Sequence, residues 1–175
     1  MTRLLLRSGK DPFRVLSPED TQATSALRTN AGNLIFSQAV HRVPSTPGTQ
    51  IDSSRFFVDP AQAHEINDTY DTFVVRLANA FRMGFRGHLE RLTRLIQRLT
   101  IPAVVVGVGA QASREYDFST LLGIEDAVRD FCAAVLDRSA TIGVRGRPQS
   151  STCGASASTP ARSSAACRCS STGTT

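Results

Sequence analysis

The sequence predicts an α/β fold, a Rossmann-like parallel sheet with helices on both faces, and three observations carry that expectation. The stretch Ile101-Pro-Ala-Val-Val-Val-Gly-Val-Gly-Ala-Gln111 places Val104, Val105 and Val106 in a row without polar alternation, as in a central strand covered on both faces. The segments around it alternate helix and strand patterns. Gly107 and Gly109 let the chain turn at that strand's carboxyl end, where open α/β sheets hold their ligands.

Met1 to Arg28 is polar and broken by Pro12 and Pro18; it gives no clear strand and reads as a loosely packed arm over 1–28. Leu34 to Val43 reads as a helix with Phe36, Val40 and Val43 on one face and Asn33 as N-cap, ended by Pro44 and Pro47. Phe56 to Val58 is a candidate short strand. Pro60 opens a short helix carrying Ala63, Ile66 and Tyr70. Thr72 to Leu77 is the next strand, with Asn79-Ala-Phe-Arg82 as its carboxyl-end loop. From Phe85 to Leu99 the apolar residues Leu89, Leu92, Leu95, Ile96 and Leu99 define an amphipathic helix, with Arg91, Arg94 and Arg98 on its solvated face. Pro102 leads into the valine strand. Leu121 to Leu136 repeats the helical pattern through Ile124, Val128, Phe131 and Val135. Ala140 to Val144 is a further strand, ending at Arg145. This order makes right-handed crossovers, and the α/β domain is expected over 29–146.

Formal net charge is +5 with a pI near 9.6. Arg147, Arg162 and Arg168 supply three of those charges in a segment that holds no acid. No interleaved basic and aromatic pattern accompanies them, so nucleic acid is not an expected partner. Leu4-Leu5-Leu6 is too short for a signal peptide, and no apolar run approaches the ~20 residues of a membrane span, so the expected location is the cytoplasm. Cys132 sits inside a helical pattern and reads as core. Cys153, Cys167 and Cys169 show no zinc or redox spacing, and no metal site is expected.

From Arg147 to Thr175 the chain is almost all Ser, Thr, Ala, Gly, Arg, Pro and Cys, with no Leu, Ile, Val or Phe. Such a segment buries too little apolar area to offset the entropy of ordering, and 147–175 is expected to be a disordered tail. The composition also fits a one-base frame slip in a GC-rich gene. Ser151-Thr-Cys-Gly154 is what codons for Glu-Tyr-Leu-Arg give in the shifted frame. Ala165-Ala-Cys-Arg168 likewise recovers Gly-Cys-Leu-Ser, and Cys169 to Thr175 can recover Met-Phe-Ile-Asn-Gly-Asp-Asp. On that reading the domain is interrupted after Gly146.

Gly107-x-Gly109 matches a dinucleotide fingerprint poorly: Ala112 stands at the third position and no helix opens at once. His41, His64 and His88 fall on different helices and read as solvated or packed. The more telling pattern is convergence. Asn79 and Arg82, then Gly109 and Gln111, then Arg145 each follow the carboxyl end of an expected strand, and parallel strands bring those ends to one rim. Asn30, Gly32 and Asn33 at a helix start add donors suited to an anion, and the two arginines can fork onto carboxylate or phosphate.

Several of these segments, in this order and spacing, resemble the polysaccharide pyruvyl transferase family: Asn30-Ala-Gly-Asn-Leu-Ile-Phe36, Tyr70-Asp71, Ala78-Asn-Ala-Phe-Arg82, Val106-Gly-Val-Gly-Ala-Gln111 and Ile142-Gly-Val-Arg145. The likeness runs from about Asn30 to Gly146. It implies transfer of the enolpyruvyl unit of phosphoenolpyruvate, as co-substrate and without a further cofactor, to a saccharide acceptor. It also implies two Rossmann-like halves of GT-B type with the active site between them, of which this chain holds the first. The family's donor-binding basic residues of the second half have no counterpart, so the chain is expected to be inactive alone. The residues name neither the acid nor the base that such a transfer requires. The competing readings are half of a nucleotide-sugar glycosyltransferase and a non-enzymatic α/β binding module.

Overall fold

A computed structural model describes residues 1–8, 16–23, 31–54, 59–110, 123–145 and 168–170. In chain order these form β1 (Thr2–Arg7), α1 (Pro18–Ala23), α2 (Ala31–Arg42), β2 (Thr49–Ser54), α3 (Ala63–Thr69), β3 (Thr72–Arg76), α4 (Arg86–Arg98), β4 (Ala103–Val108), α5 (Glu125–Leu136), β5 (Thr141–Val144) and β6 (Arg168–Ser170). The strands make one parallel sheet in the order β2-β1-β3-β4-β5-β6. The Rossmann-like α/β expectation is met.

The amino terminus departs most from expectation. Thr2–Arg7 is an interior strand, paired with β2 from Thr2 to Arg7 and with β3 from Leu4 to Arg7. Leu5 and Leu6 are buried. Three consecutive leucines are a continuous apolar run of the kind a two-sided interior strand needs, although Leu is a weaker strand former than Val. Thr2–Arg7 is therefore part of the sheet, where no clear strand was expected. β2 was also not expected: Thr49-Gln-Ile-Asp-Ser-Ser54 is polar, as suits a strand that among the described residues pairs with β1 alone. Phe56 to Val58 lies outside the described residues.

Alternation along the strands sorts the two faces. Leu5, Phe73, Val75, Ala103, Val105 and Ile142 pack with Ala63 and Ile66 of α3, Leu89, Leu92, Leu95 and Ile96 of α4, and Val128, Phe131, Cys132 and Val135 of α5. Cys132 is buried there, as expected. The opposite face carries α2, which buries Ser37, Val40 and His41, with His41 Nε2 and Ser53 Oγ of β2 3.0 Å apart. Val43 is exposed, one residue past the helix end, so the expected Phe36-Val40-Val43 stripe is shortened; the helix stops before Pro44, as expected. Val104 is 37% exposed and Val106 half-buried, so β4 is fully covered on the α4–α5 face alone among the described residues.

Helix starts follow their sequence signals closely at α3. Asp59 Oδ1 accepts from Ala61 N at 2.9 Å while Asp59 N donates to Gln62 Oε1 at 3.0 Å, and Pro60 takes the first position of the turn that leads into the helix. α4 begins at Arg86, whose guanidinium reaches Glu90, Asp126 and the Gly123 carbonyl and so ties α4 to the start of α5. β6 pairs Arg168–Ser170 with Thr141–Gly143, so the expected tail contributes an edge strand; the rest of it lies outside the described residues. No helix among the described residues is long and apolar enough to cross a membrane.

Candidate anion-binding site

The strand order 2-1-3-4-5 reverses direction between β1 and β3. A doubly wound sheet opens its ligand crevice at such a reversal, beyond the carboxyl ends of the strands. β1 ends in Arg7 and β3 in Arg76. Both are buried, at 4% and 7% exposure. Arg7 pairs in register with Val75, so it rises on the α4 face; Arg76, one residue on, rises on the α2 face. Two arginines thus flank the crevice mouth, one from each side of the sheet.

Aromatic rings hold both. The Arg76 guanidinium lies 5.1 Å from the ring centre of Phe36 in α2, and Arg7 lies 6.0 Å from that of Phe85 at the start of α4. Arg7 also donates to the Arg76 carbonyl at 3.4 Å. Burial, and then the charge of Arg76, push the Arg7 guanidinium down to about 10. Burial also lowers Arg76. Both remain cations at neutral pH. A guanidinium held this deep costs free energy to charge, and a nearby hydrogen-bond acceptor or anion lowers that cost.

Gly107 fixes the α2 side of this arrangement. Its φ is +68°, and a Cβ there would come within 2.6 Å of the Phe36 ring. Only glycine lets Phe36 lie that close to β4 while stacking on Arg76. This turn coincides with the shift in β4–β5 register between Val105 and Val108.

The residues expected to converge do so in part. The Cβ position of Gly109 is 3.7 Å from Arg145 Cβ and 3.8 Å from Asn79 Oδ1, so these three meet at the carboxyl ends of β3, β4 and β5. Gly109 N donates to Ala78 O at 2.7 Å, Phe81 N donates to Gly109 O at 3.0 Å, and Arg145 N donates to Val108 O at 2.9 Å. Arg82 is exposed and lies 6.0 Å from the Phe85 ring centre, on the same ring as Arg7. Gly32 is exposed in the first turn of α2. Asn33 lies within that turn, because the helix starts at Ala31; it is not the N-cap. The Asn33 side chain, Asn30 and Gln111 lie outside the described residues.

Sequence reasoning missed Arg7, Arg76 and Phe85 as site residues. A signal was present: each arginine ends an apolar strand, Leu4-Leu5-Leu6-Arg7 and Phe73-Val-Val-Arg76, and so stands where a charge is rarely placed. Among the described residues, no group of three or more His, Cys, Asp or Glu could hold a metal.

The fold and this rim define an α/β protein with two buried arginines at the reversal of strand order. No protein-family model matches the chain, and neither a curated protein nor a solved structure does.

Proposed function

We propose that the β1–β3 crevice binds phosphoenolpyruvate, and that the chain is polysaccharide pyruvyl transferase-like, serving transfer of a pyruvyl group to a saccharide acceptor. The observation that carries the reading is the pair of buried arginines, Arg7 and Arg76, on either side of the crevice mouth. A donor with a phosphate and a carboxylate needs two fixed cationic forks, and guanidinium geometry suits both groups. Arg82 and Arg145, farther along the same rim, extend the positive field toward an acceptor. The segment order from Asn30 to Arg145 supports the family choice. In this reading Arg7 and Arg76 hold and orient the donor, and the chain by itself does not turn it over.

Thermal unfolding with added ligand tests it. Phosphoenolpyruvate at about 100 times its Kd contributes about 2.7 kcal/mol, which raises Tm by roughly 5–10 °C for a domain of this size. Protection by a nucleoside diphosphate in place of phosphoenolpyruvate contradicts the reading and favours a nucleotide-sugar glycosyltransferase half. A stable fold protected by neither favours a binding module.

A further inference from the structure

A bulge in β4 shapes the α2 side of the crevice. Val105 and Val108 both belong to the core under α4 and α5. In a regular strand one residue separates two such inward side chains. Here two do, Val106 and Gly107, and the pairing with β5 shifts register across them. Val106 pairs with Arg76 and shares its α2 face. Gly107, turned over by its positive φ, presents a bare Cα to the same face, and the tip of the Phe36 ring fills the place of the missing Cβ. That ring lies beneath the Arg76 guanidinium. We propose that Gly107 and Phe36 are positioning residues of the crevice: the bulge seats the ring, and the ring sets where Arg76 presents its guanidinium to an anion. This rests on the anion-crevice reading above.

A long side chain loses rotamer freedom when it clamps a ligand, and that loss weakens binding. An aromatic face attracts a guanidinium, so a fixed ring orders the fork before the ligand arrives. Phe36 is fixed from two directions. Ser37 and Val40 beside it on α2 are buried, and Gly107 receives the ring. The Phe85 ring stands 6.0 Å from Arg7 and equally from Arg82, so it holds neither as closely as Phe36 holds Arg76 at 5.1 Å. Arg76 is then the preset fork of the pair. Gly107-x-Gly109, a poor match to a dinucleotide fingerprint, serves side-chain placement instead: Gly107 seats Phe36, and Gly109 meets Asn79 and Arg145.

Phosphoenolpyruvate is the probe, and titration calorimetry of the intact chain reads its affinity. Phe36→Leu keeps an apolar side chain and removes the ring; it is expected to weaken binding about three- to fivefold, the worth of one guanidinium–ring contact. Gly107→Ala is expected to weaken it at least as much, because a Cβ displaces the ring. In an Arg76→Met background Phe36→Leu is expected to change affinity by less than about twofold, and in an Arg7→Met background by the full amount. A general loss of structure would act equally in both. NMR adds a readout that needs no ligand: the Arg76 side-chain protons are expected to be shielded by the Phe36 ring in the wild type and to lose that shielding in Phe36→Leu. Unchanged affinity in Phe36→Leu, or an equal loss in the Arg76→Met background, overturns the positioning role and leaves the crevice standing. Unshielded Arg76 protons in the wild type overturn the seating of Arg76 on the ring. No binding by the wild type overturns the crevice reading, whatever the shielding, and the positioning role with it.

Discussion

Replacing Arg7 with Met is expected to weaken phosphoenolpyruvate binding by roughly 30-fold, about 2 kcal/mol, the worth of a hydrogen bond to a charged group. Met keeps the length and much of the volume of the side chain while removing the guanidinium, so the packing on Phe85 is largely retained. Arg76→Met is expected to act similarly from the other side of the sheet, over Phe36. Arg94 is exposed on the outer face of α4, and Arg94→Met is expected to leave affinity unchanged. Titration calorimetry on the three variants checks this. Equal affinities in Arg7→Met and wild type would remove the crevice from the account.

Deleting Thr2–Arg7 is expected to abolish cooperative unfolding. β1 lies between β2 and β3, so its loss separates the sheet into two parts. Leu5 and Leu6 alone contribute about 3–6 kcal/mol through burial. The ladders to both neighbours are lost with them. A domain stabilised by about 5–15 kcal/mol does not survive that removal. Circular dichroism during heating reads the result. A sharp transition near the wild-type Tm would mean that β1 is dispensable, as a loose arm would be.

The interior of the carboxyl-terminal half was legible because its signals are redundant. α4 and α5 repeat apolar residues every three or four positions, and Val104 to Val106 make a β-branched run; each agrees with its neighbour's period. The leucine triplet of β1 has no such redundancy. It is three residues long, made of a residue that favours helix over strand, and followed by polar sequence. β2 carried no apolar signal, since its side chains are only partly covered. The rim residues Asn79, Gly109 and Arg145 were legible from position alone, because each follows a strand. Arg7 was not, because the crevice depends on strand order, and strand order places β1 next to β3 across some 65 residues of chain. No local pattern encodes that adjacency. The covering of Val104 was overestimated for a related reason: an apolar run says that a strand is apolar, and not which helix covers it.

A crystal structure of the chain soaked with phosphoenolpyruvate tests the central claim most directly. The account predicts the phosphate or the carboxylate beyond the ends of β1 and β3, within about 3 Å of guanidinium nitrogens from both Arg7 and Arg76. Ligand density confined to the β4–β5 rim around Arg145, or none between β1 and β3 at saturating concentration, would contradict it.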